Sequence, residues 1–445
     1  MAEAATIFAL SSGRGRAGVA VIRVSGPAAR VMLERMARPA PRPRFAALRA
    51  ITSPKSGELL DCGLVLWFPG PKSETGEDMA ELHVHGGRAV VAAVLEAIGE
   101  IGGCRLAEPG EFARRAFAHG KIDLTAAEGL ADLIDAETAA QRRQALRQSG
   151  GALARQYEHW RQRLLAAMAL IEAAIDFSDE GDVADTTAAS ALDAAAALRQ
   201  EIGHHLADGH RGELVREGFQ VVLAGPPNVG KSRLLNALAR REVAIVSEEA
   251  GTTRDVIEVR LDLEGLPIVV SDTAGIREAG GAIEQEGIRR TVGRARAADL
   301  VLWLTDARAP ARENPPAAWP PDRILRVANK CDLRHPDAPE PVPEGVIVIS
   351  AATGFGLERL AARVAALARA RMGDGEAPAL TQVRHRLQLE ACHAALGAFL
   401  AAPMGEIELR AEDLRRAAQA LGRLVGAVDA EDVLAEIFGR FCIGK

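Results

Sequence analysis

The stretch that most constrains this chain is FQVVLAGPPNVGKSRLLNALAR, residues 219–240. An apolar strand runs directly into G-x-x-x-x-G-K-S and then into strong helix formers, the strand, loop and helix order that a phosphate-binding loop requires. Gly225 and Gly230 let the backbone curl so that its N–H groups converge, and the following helix opens with its positive dipole end at the same point. Asn228, Val229, Gly230, Lys231, Ser232 and Arg233 are the loop's candidate nucleotide contacts. Lys231 brings a point charge to the β and γ oxygens, and the Ser232 hydroxyl suits Mg²⁺. The bland alternative is a glycine-rich turn that matches by chance, and three downstream features weigh against it.

SDTAG follows the strand LPIVV, which sets Asp272 at a strand end beside the metal, with Thr273 and Ala274 leading to Gly275, whose N–H can meet the γ-phosphate. NKCD follows the strand RILRVA and contributes Asn329, Lys330 and Asp332. The Asp332 carboxylate can accept two hydrogen bonds from the N1 and N2 edge of guanine, whereas adenine offers no matching pair of donors, so the expected nucleotide is GTP. Ser350 and Ala351, after the strand GVIVI, complete the base pocket. A P-loop ATPase is disfavoured by NKCD. Directly after DTAG stands Ile276, which cannot orient a water, so another group must do that work. AIVSEEAGTTRD supplies Thr253 as a candidate Mg²⁺ ligand, and its backbone from Ser247 to Thr252 can wrap a second cation. Asn228 offers that cation a neutral oxygen; a monovalent ion there would neutralise charge between the β and γ phosphates. Asn228 as a mere stiffener of the loop and Glu284 as a plain surface acid are the competing readings.

Length implies several modules, since 445 residues exceed what one core usually holds. Residues 1–121 alternate short apolar runs with turns, and the helical spacing of RAVVAAVLEAIGEI makes the region α+β. Residues 122–216 read as a helical domain rich in Ala, Leu, Glu, Gln and Arg, closing on a hinge-like ADGHRGELVREG. Strands alternate with helices over 217–371, and helices resume over 372–445. The α/β block therefore interrupts a helical domain, an arrangement in which the bundle can feel movements of the inserted module. Five scattered cysteines form neither a disulfide ladder nor a C-x-x-C pair, which fits a reducing cytoplasm. The N-terminus lacks a basic signal region, and no apolar run is long enough for a membrane span. A net charge of −6 gives no global reason to bind nucleic acid, although ARRAF, QRRQALRQ, RQYEHWRQR and LRRAAQALGR concentrate arginine locally. With aromatics at 4%, base stacking is an unfavoured mode of RNA contact. The closing FCIGK resembles a C-a-a-X box, but Lys445 and Gly444 do not fit that signal. Cys442 is either a small apolar residue closing a helix or, with a cation to lower its pKa, a nucleophile or proton donor.

GPPNVGKS, GTTRD, DTAG, NKCD and CIGK together, with GRGRAGVAVIRVSG, EDMAELHVHGG and AEPGEFARRAFAHGKIDLTAAEGLADLI, resemble the MnmE (TrmE) family of tRNA modification GTPases over nearly the whole chain. The resemblance implies an α+β tetrahydrofolate-binding and dimerisation domain, then a helical domain interrupted by a Ras-like P-loop GTPase domain. It also implies a potassium-stimulated homodimer that works with the flavin-dependent protein MnmG (GidA), as a heterotetramer, on the wobble uridine of certain tRNAs. The one-carbon donor implied is a tetrahydrofolate derivative, in the 5-formyl or 5,10-methylene form. By the family pattern, folate contacts fall on Arg23, Glu81, Lys121 and Lys445, and potassium on Asn228, Ser247, Glu249 and Thr252. Mg²⁺ falls on Ser232 and Thr253, and Glu284 matches the acid that helps position the hydrolytic water. Carboxylates and a pterin edge suit Arg, Lys and Glu, although Arg23 or Lys121 alone would more often be a surface charge. Two departures, Arg233 after the loop serine and Ser178 in IDFSDEGD, touch no expected ligand. The competing function is an RNA-binding GTPase switch in ribosome assembly or signalling, without folate or modification chemistry; binding of 5-formyltetrahydrofolate separates the two.

Overall fold

A computed structural model describes residues 5–13, 15–176, 181–240, 244–245, 258–272, 297–309, 314–317, 319–334, 342–373, 380–403, 407–426, 434, 437–439, 441 and 444, with backbone alone at 181–185 and 407–408. The chain divides into two units. One comprises Met1–Ala131, Gln148–Ala191 and Ala401–Lys445; the other comprises Asp132–Arg147 and Leu192–Leu400.

In the first unit, β1 (Thr6–Leu10), β2 (Ala17–Ser25), β3 (Ala47–Thr52), β4 (Leu59–Phe68), β5 (Met79–Gly86) and β6 (Cys104–Leu106) form one sheet in the order β3-β4-β5-β2-β1-β6. Period-two alternation puts Ile22, Val24, Val65, Leu82 and Val84 on one face. There α1 (Ala29–Met36) and α2 (Arg88–Gly99) cover them with Met32, Leu33, Met36, Val94 and Ile98. On the other face, Ile7 and Ala9 of β1 pack with Phe112 of α3 (Glu111–Ala118). Ion pairs around the buried Glu111 tie this helix to the sheet. The Glu111 carboxylate accepts from Arg105 at 2.8 Å, the Glu108 N–H at 2.9 Å and Arg115 at 3.2 Å. Arg115 also donates to Glu77 at 2.9 Å and to the Ala5 carbonyl at 2.7 Å.

The helical segments follow heptad-like stripes. After α4 (Leu124–Ile134) and α5 (Ala139–Ser149), α6 (Ala152–Asp176) buries Leu153, Tyr157, Trp160, Leu164, Ala167, Ile171 and Ala174. Alternate spacings of four and three keep one seam facing a partner. That partner is α11 (Ile407–Val425), whose Leu414, Ala417, Leu421 and Leu424 repeat the pattern. Near the end of the chain, Ile437, Phe438 and Phe441 return to Ala113, Leu124 and Ala127. A Cβ on Gly110 would stand 2.4 Å from the Phe438 carbonyl oxygen, so glycine is required at this approach.

The expected hinge ADGHRGELVREG is overturned: α7 (Gly181–Glu217) continues through it as helix. The glycine that suggests a break instead makes room, since a Cβ on Gly209 would meet Leu380 at 2.4 Å. One helical glycine costs only about 1 kcal/mol, which such close packing offsets. The second unit's sheet contains β7 (Phe219–Ala224), β8 (Ala244–Ile245), β9 (Glu258–Leu263), β10 (Leu266–Asp272), β11 (Leu300–Asp306), β12 (Ile324–Asn329) and β13 (Ile347–Val348). Its order is β13-β12-β11-β7-β10-β9-β8, with β13, β12, β11, β7 and β10 parallel. The helices α8 (Lys231–Ala239) and α9 (Leu357–Met372) pack with these strands in one apolar cluster, and α10 (Val383–Ala401) follows in the chain. Among the described residues, no helix is long and apolar enough to cross a membrane.

Burial alone would raise the Glu111 carboxyl, but hydrogen bonds from Arg105, the Glu108 N–H and Arg115 outweigh it and hold it at about 2. A depressed folded value stabilises the folded state above the unfolded value and loses that contribution as pH falls through the folded one. The Glu111→Gln substitution should therefore cost up to about 3 kcal/mol at neutral pH. It should also abolish the part of the acid destabilisation that lies between pH 4.5 and about 2. Amide exchange in β2 and β5 reads both effects, and wild-type protection in the variant would show the network to be energetically idle.

Candidate nucleotide site

The parallel strands of the second unit end at one edge, and the candidate site is built on their C-terminal ends. Leaving β7, Gly225 has φ of +141°, and a Cβ there would lie 2.2 Å from the Leu304 carbonyl oxygen of β11. Asn228, with φ of +61°, and Gly230, with φ of +95°, continue the curl into α8. Among the described residues no side chain caps the start of α8, which leaves its first N–H groups and dipole end to an anion. The Lys231 ammonium donates to the Gly225 and Pro226 carbonyls, each at 2.9 Å. Burial lowers its pKa below the ordinary lysine value while Asp272 pulls the other way. A phosphate would meet a partly desolvated cation already aimed by the loop.

Asp272 ends β10, is nearly fully buried, and accepts a 2.6 Å hydrogen bond from the Ser232 hydroxyl. These two oxygens face each other where a hard cation between loop and strand would need them, and the donor set suits Mg²⁺. Among the described residues, no cluster of three or more His, Cys, Asp or Glu marks a separate metal site. Asn329, buried at the end of β12, donates from Nδ2 to the Val229 carbonyl at 2.9 Å and accepts from the Ala351 N–H at 3.0 Å. One side chain thus spans the phosphate loop and the loop of buried Ser350. Lys330 adopts φ of +66°, and its ammonium lies 3.1 Å from Asp306. The Asp332 side chain is exposed and has no polar partner among the described residues, which leaves both carboxylate oxygens open to a base edge. Arg233 is exposed on α8.

Two participants escape the motifs. Asp306 ends β11 and is held well below the usual carboxylate range, chiefly by hydrogen bonds from Arg308, against burial. It fixes Lys330. Its strand-end position after LVLWLT repeats that of Asp272 after LPIVV, which is the signal that could have found it. Ser11, just beyond β1, donates its hydroxyl to the Gly444 carbonyl at 2.7 Å. Gly444 has φ of +102°, and a Cβ there would lie 2.2 Å from the Leu10 carbonyl oxygen.

Of the residues expected to contact folate, Arg23 and Glu81 are directly opposed across β2 and β5, 3.1 Å apart. Arg23 also meets Glu74 at 3.0 Å and lies over the Phe112 ring, while His83 stands 3.2 Å from Glu81. The pair is half-buried on β2 and β5, next to β1, whose end receives Gly444. Lys121 is exposed beyond α3, and no polar contact joins it to Arg23 or Glu81 among the described residues. Ser247, Glu249, Thr252, Thr253, Thr273, Ala274, Gly275, Ile276, Glu284, Cys442 and Lys445 lie outside the described residues.

A curled loop between a parallel strand and an uncapped helix, with an aspartate on one neighbouring strand and an Asn-Lys-x-Asp turn two strands away, defines a P-loop protein of the GTPase class. The family model described as the MnmE helical domain matches residues 124–442, and that of the GTP-binding protein TrmE N-terminus matches residues 6–121. The tRNA modification GTPase MnmE of Parvibaculum lavamentivorans is 54% identical over 443 residues, covering 99% of this chain and 100% of that protein. Those of Rhodopseudomonas palustris and a Methylobacterium species are 52% and 55% identical, each covering 99% of this chain and 99% of the relative. This chain belongs to the MnmE family of tRNA modification GTPases.

The open Asp332 carboxylate makes base selectivity testable. Asp332→Asn replaces one acceptor with a donor, which mismatches the guanine N2 amine but matches the carbonyl that xanthine carries there. GTP affinity should fall by about 100-fold, the loss of one or two charge-assisted hydrogen bonds, and XTP should now bind better than GTP. Competition against a fluorescent nucleotide measures both, and unchanged GTP affinity would assign Asp332 to the surface.

Proposed function

We propose that this protein is a potassium-dependent GTPase that acts, as a homodimer and with the flavin-dependent protein MnmG (GidA) in a heterotetramer, on the wobble uridine of certain tRNAs. The modification is of the carboxymethylaminomethyl type at carbon 5 of uridine 34, with a tetrahydrofolate derivative (5-formyl or 5,10-methylene) as one-carbon donor, in the cytoplasm. The family's tRNA-modifying relatives support the general reading. The observation that carries its modification half is the seating of Gly444 on Ser11 and Leu10, at the end of the strand beside β2 and its Arg23. That contact brings Gly444 to the sheet on which Arg23 and Glu81 stand.

In this reading the chain has an N-terminal folate-binding and dimerisation domain over 1–121, helical parts over 122–216 and 372–445, and a GTPase domain over 217–371. Lys231 and the N–H groups of the loop and α8 hold the β and γ phosphates, while Asn329 keeps phosphate and base loops in register. Ser232 and Thr253 hold Mg²⁺, with Asp272 behind them. Asn228, Ser247, Glu249 and Thr252 hold potassium, which supplies positive charge between the β and γ phosphates when bound. Glu284 positions the hydrolytic water, a task Ile276 cannot perform. Arg23, Glu81, Lys121 and Lys445 would hold the folate, and Cys442 would serve its one-carbon chemistry as nucleophile or proton donor. The half-buried Arg23–Glu81 pair fits such a ligand, because guanidinium and carboxylate together match an anionic tail and a pterin edge. Dimerisation finds support in the cross-strand pair Leu48 and Leu64, both well exposed at the β3 edge of the first sheet.

Hydrolysis should be faster in potassium than in sodium, and Asn228→Ala should erase most of the difference while GTP still binds; equal wild-type turnover in the two salts would sink the potassium assignment. Deleting residues 442–445 should leave nucleotide binding intact, weaken folate binding and abolish tRNA modification in an assay reconstituted with the flavoprotein. Wild-type modification by the truncated chain would reduce CIGK to a packing element.

A further inference from the structure

Four arginine-rich runs stand in the sequence, and three of them spend their charges internally. In ARRAF, Arg114 meets Glu108 at 3.1 Å and Arg115 meets Glu77 at 2.9 Å. In RQYEHWRQR, Arg155 donates to the Gly150 carbonyl at 2.8 Å and Arg161 meets Glu158 at 2.8 Å. In LRRAAQALGR, Arg415 reaches Glu172 at 3.8 Å and Arg416 reaches Asp413 at 3.4 Å. Arg163 and Arg423 are engaged as well.

QRRQALRQ, which forms α5, behaves differently. Its inner face carries three glutamines that anchor the helix to backbone carbonyls. Gln141 donates to Arg216 at 3.1 Å, Gln144 to Gly212 at 2.9 Å and Gln148 to Thr125 at 3.2 Å. Helical spacing then turns Arg142, Arg143, Leu146 and Arg147 outward, and all four are exposed. None of the three arginines has an acidic or hydrogen-bonding partner among the described residues. No acidic residue occurs from Thr138 to Tyr157. The nearest acids before the helix are drawn elsewhere, Glu137 to Arg260 at 3.3 Å and Asp132 to Arg216 at 2.8 Å, while no ion pair joins Asp135 to these arginines among the described residues. Arg143 and Arg147, an i,i+4 pair of like charge, repel each other, so the face carries a small standing cost in the free protein.

We propose that this arginine face of α5 docks the phosphate backbone of the substrate tRNA; the inference rests on the tRNA-modification reading above. The three arginine positions span about 7.5 Å along the axis of a helix pinned on its other side. Arginine forks pair bidentately with phosphate, and a fixed helix loses little freedom on binding. The face has no aromatic residue and Leu146 as its one large apolar side chain, which is poor material for a protein interface and none for base stacking. Contact is therefore with the backbone and insensitive to tRNA sequence. In a chain of net charge −6, such a face gives a polyanion a local place to settle.

The test measures tRNA affinity of the full-length, nucleotide-bound protein as a function of KCl concentration. Replacing Arg142, Arg143 and Arg147 together by Gln should weaken binding at least tenfold and flatten the log–log salt dependence by about 2–3, at roughly 0.7–0.9 per lost phosphate contact. The triple Lys variant, which keeps the charge but not the bidentate fork, should bind more weakly than wild type yet keep the wild-type salt slope, and GTP hydrolysis without tRNA should be unchanged in both. If the triple Gln variant melts early, each single Gln variant should still flatten the slope by about 1. Wild-type affinity and slope in the Gln variants would overturn the proposal, as would a variant that keeps tRNA but loses the flavoprotein partner. A wild-type protein that binds no tRNA at all would instead bring down the tRNA-modification reading and this inference with it.

Discussion

The candidate nucleotide site depends on the parallel register of β7, β10, β11 and β12. Because these strands run in one direction, Ala224, Asp272, Asp306 and Asn329 all emerge at the same edge of the sheet. Parallel pairing also brings the β11 backbone so close to the start of the loop that the Leu304 carbonyl leaves no space for a side chain at position 225. Asn329 completes the constraint by hydrogen bonding to Val229 on one side and Ala351 on the other. A buried amide that satisfies two backbone groups is costly to lose, since each partner would then be an unpaired polar group in a dry interior. The phosphate and base loops are thereby set as one object, even though about a hundred residues separate them.

A comparable closure organises the first unit. Phe438 and Phe441 return to α3 and α4, and Gly444 reaches Ser11, across more than four hundred residues of sequence. Loop-closure entropy grows only logarithmically with length, so a few buried aromatic contacts suffice to hold the return. On the same side of the sheet, the buried Glu111 carboxylate is hydrogen-bonded by exposed Arg105 and by half-buried Arg115, which also meets Glu77, and a buried charge is tolerated when it is partnered in this way. The helix α3 is thus fixed both to the sheet and to the returning chain end. The sheet that offers Arg23 and Glu81 is rigid for a reason that has nothing to do with those two residues.

How much of this was legible in the sequence follows from how local each cause is. The strands TIFAL, LPIVV and RILRVA, the curl at Gly225 and Gly230, and the strand-end aspartate of SDTAG are local features, and their spacing alone located them. ADGHRGELVREG reads as hinge-like, while the close packing of Leu380 against Gly209 within the helix comes from a segment far along the chain. Arg23 and Glu81 looked like independent ligands, yet strand register makes them partners first, so any ligand there meets a pair rather than two free charges. QRRQALRQ looked no different from the other arginine runs until their carboxylate partners were known.

The sequence by itself determined the periodicities, the turn chemistry and the nucleotide motifs, since each arises from side chains within a few residues of one another. Tertiary structure alone decided that Asp306 serves Lys330, that Ser11 receives the end of the chain, and that α5 faces outward with its charges unspent. These depend on which distant backbone carbonyls, strand edges and carboxylates arrive at the same place. Arrival of that kind is set by the summed burial and hydrogen bonding of the folded chain, which no local pattern encodes.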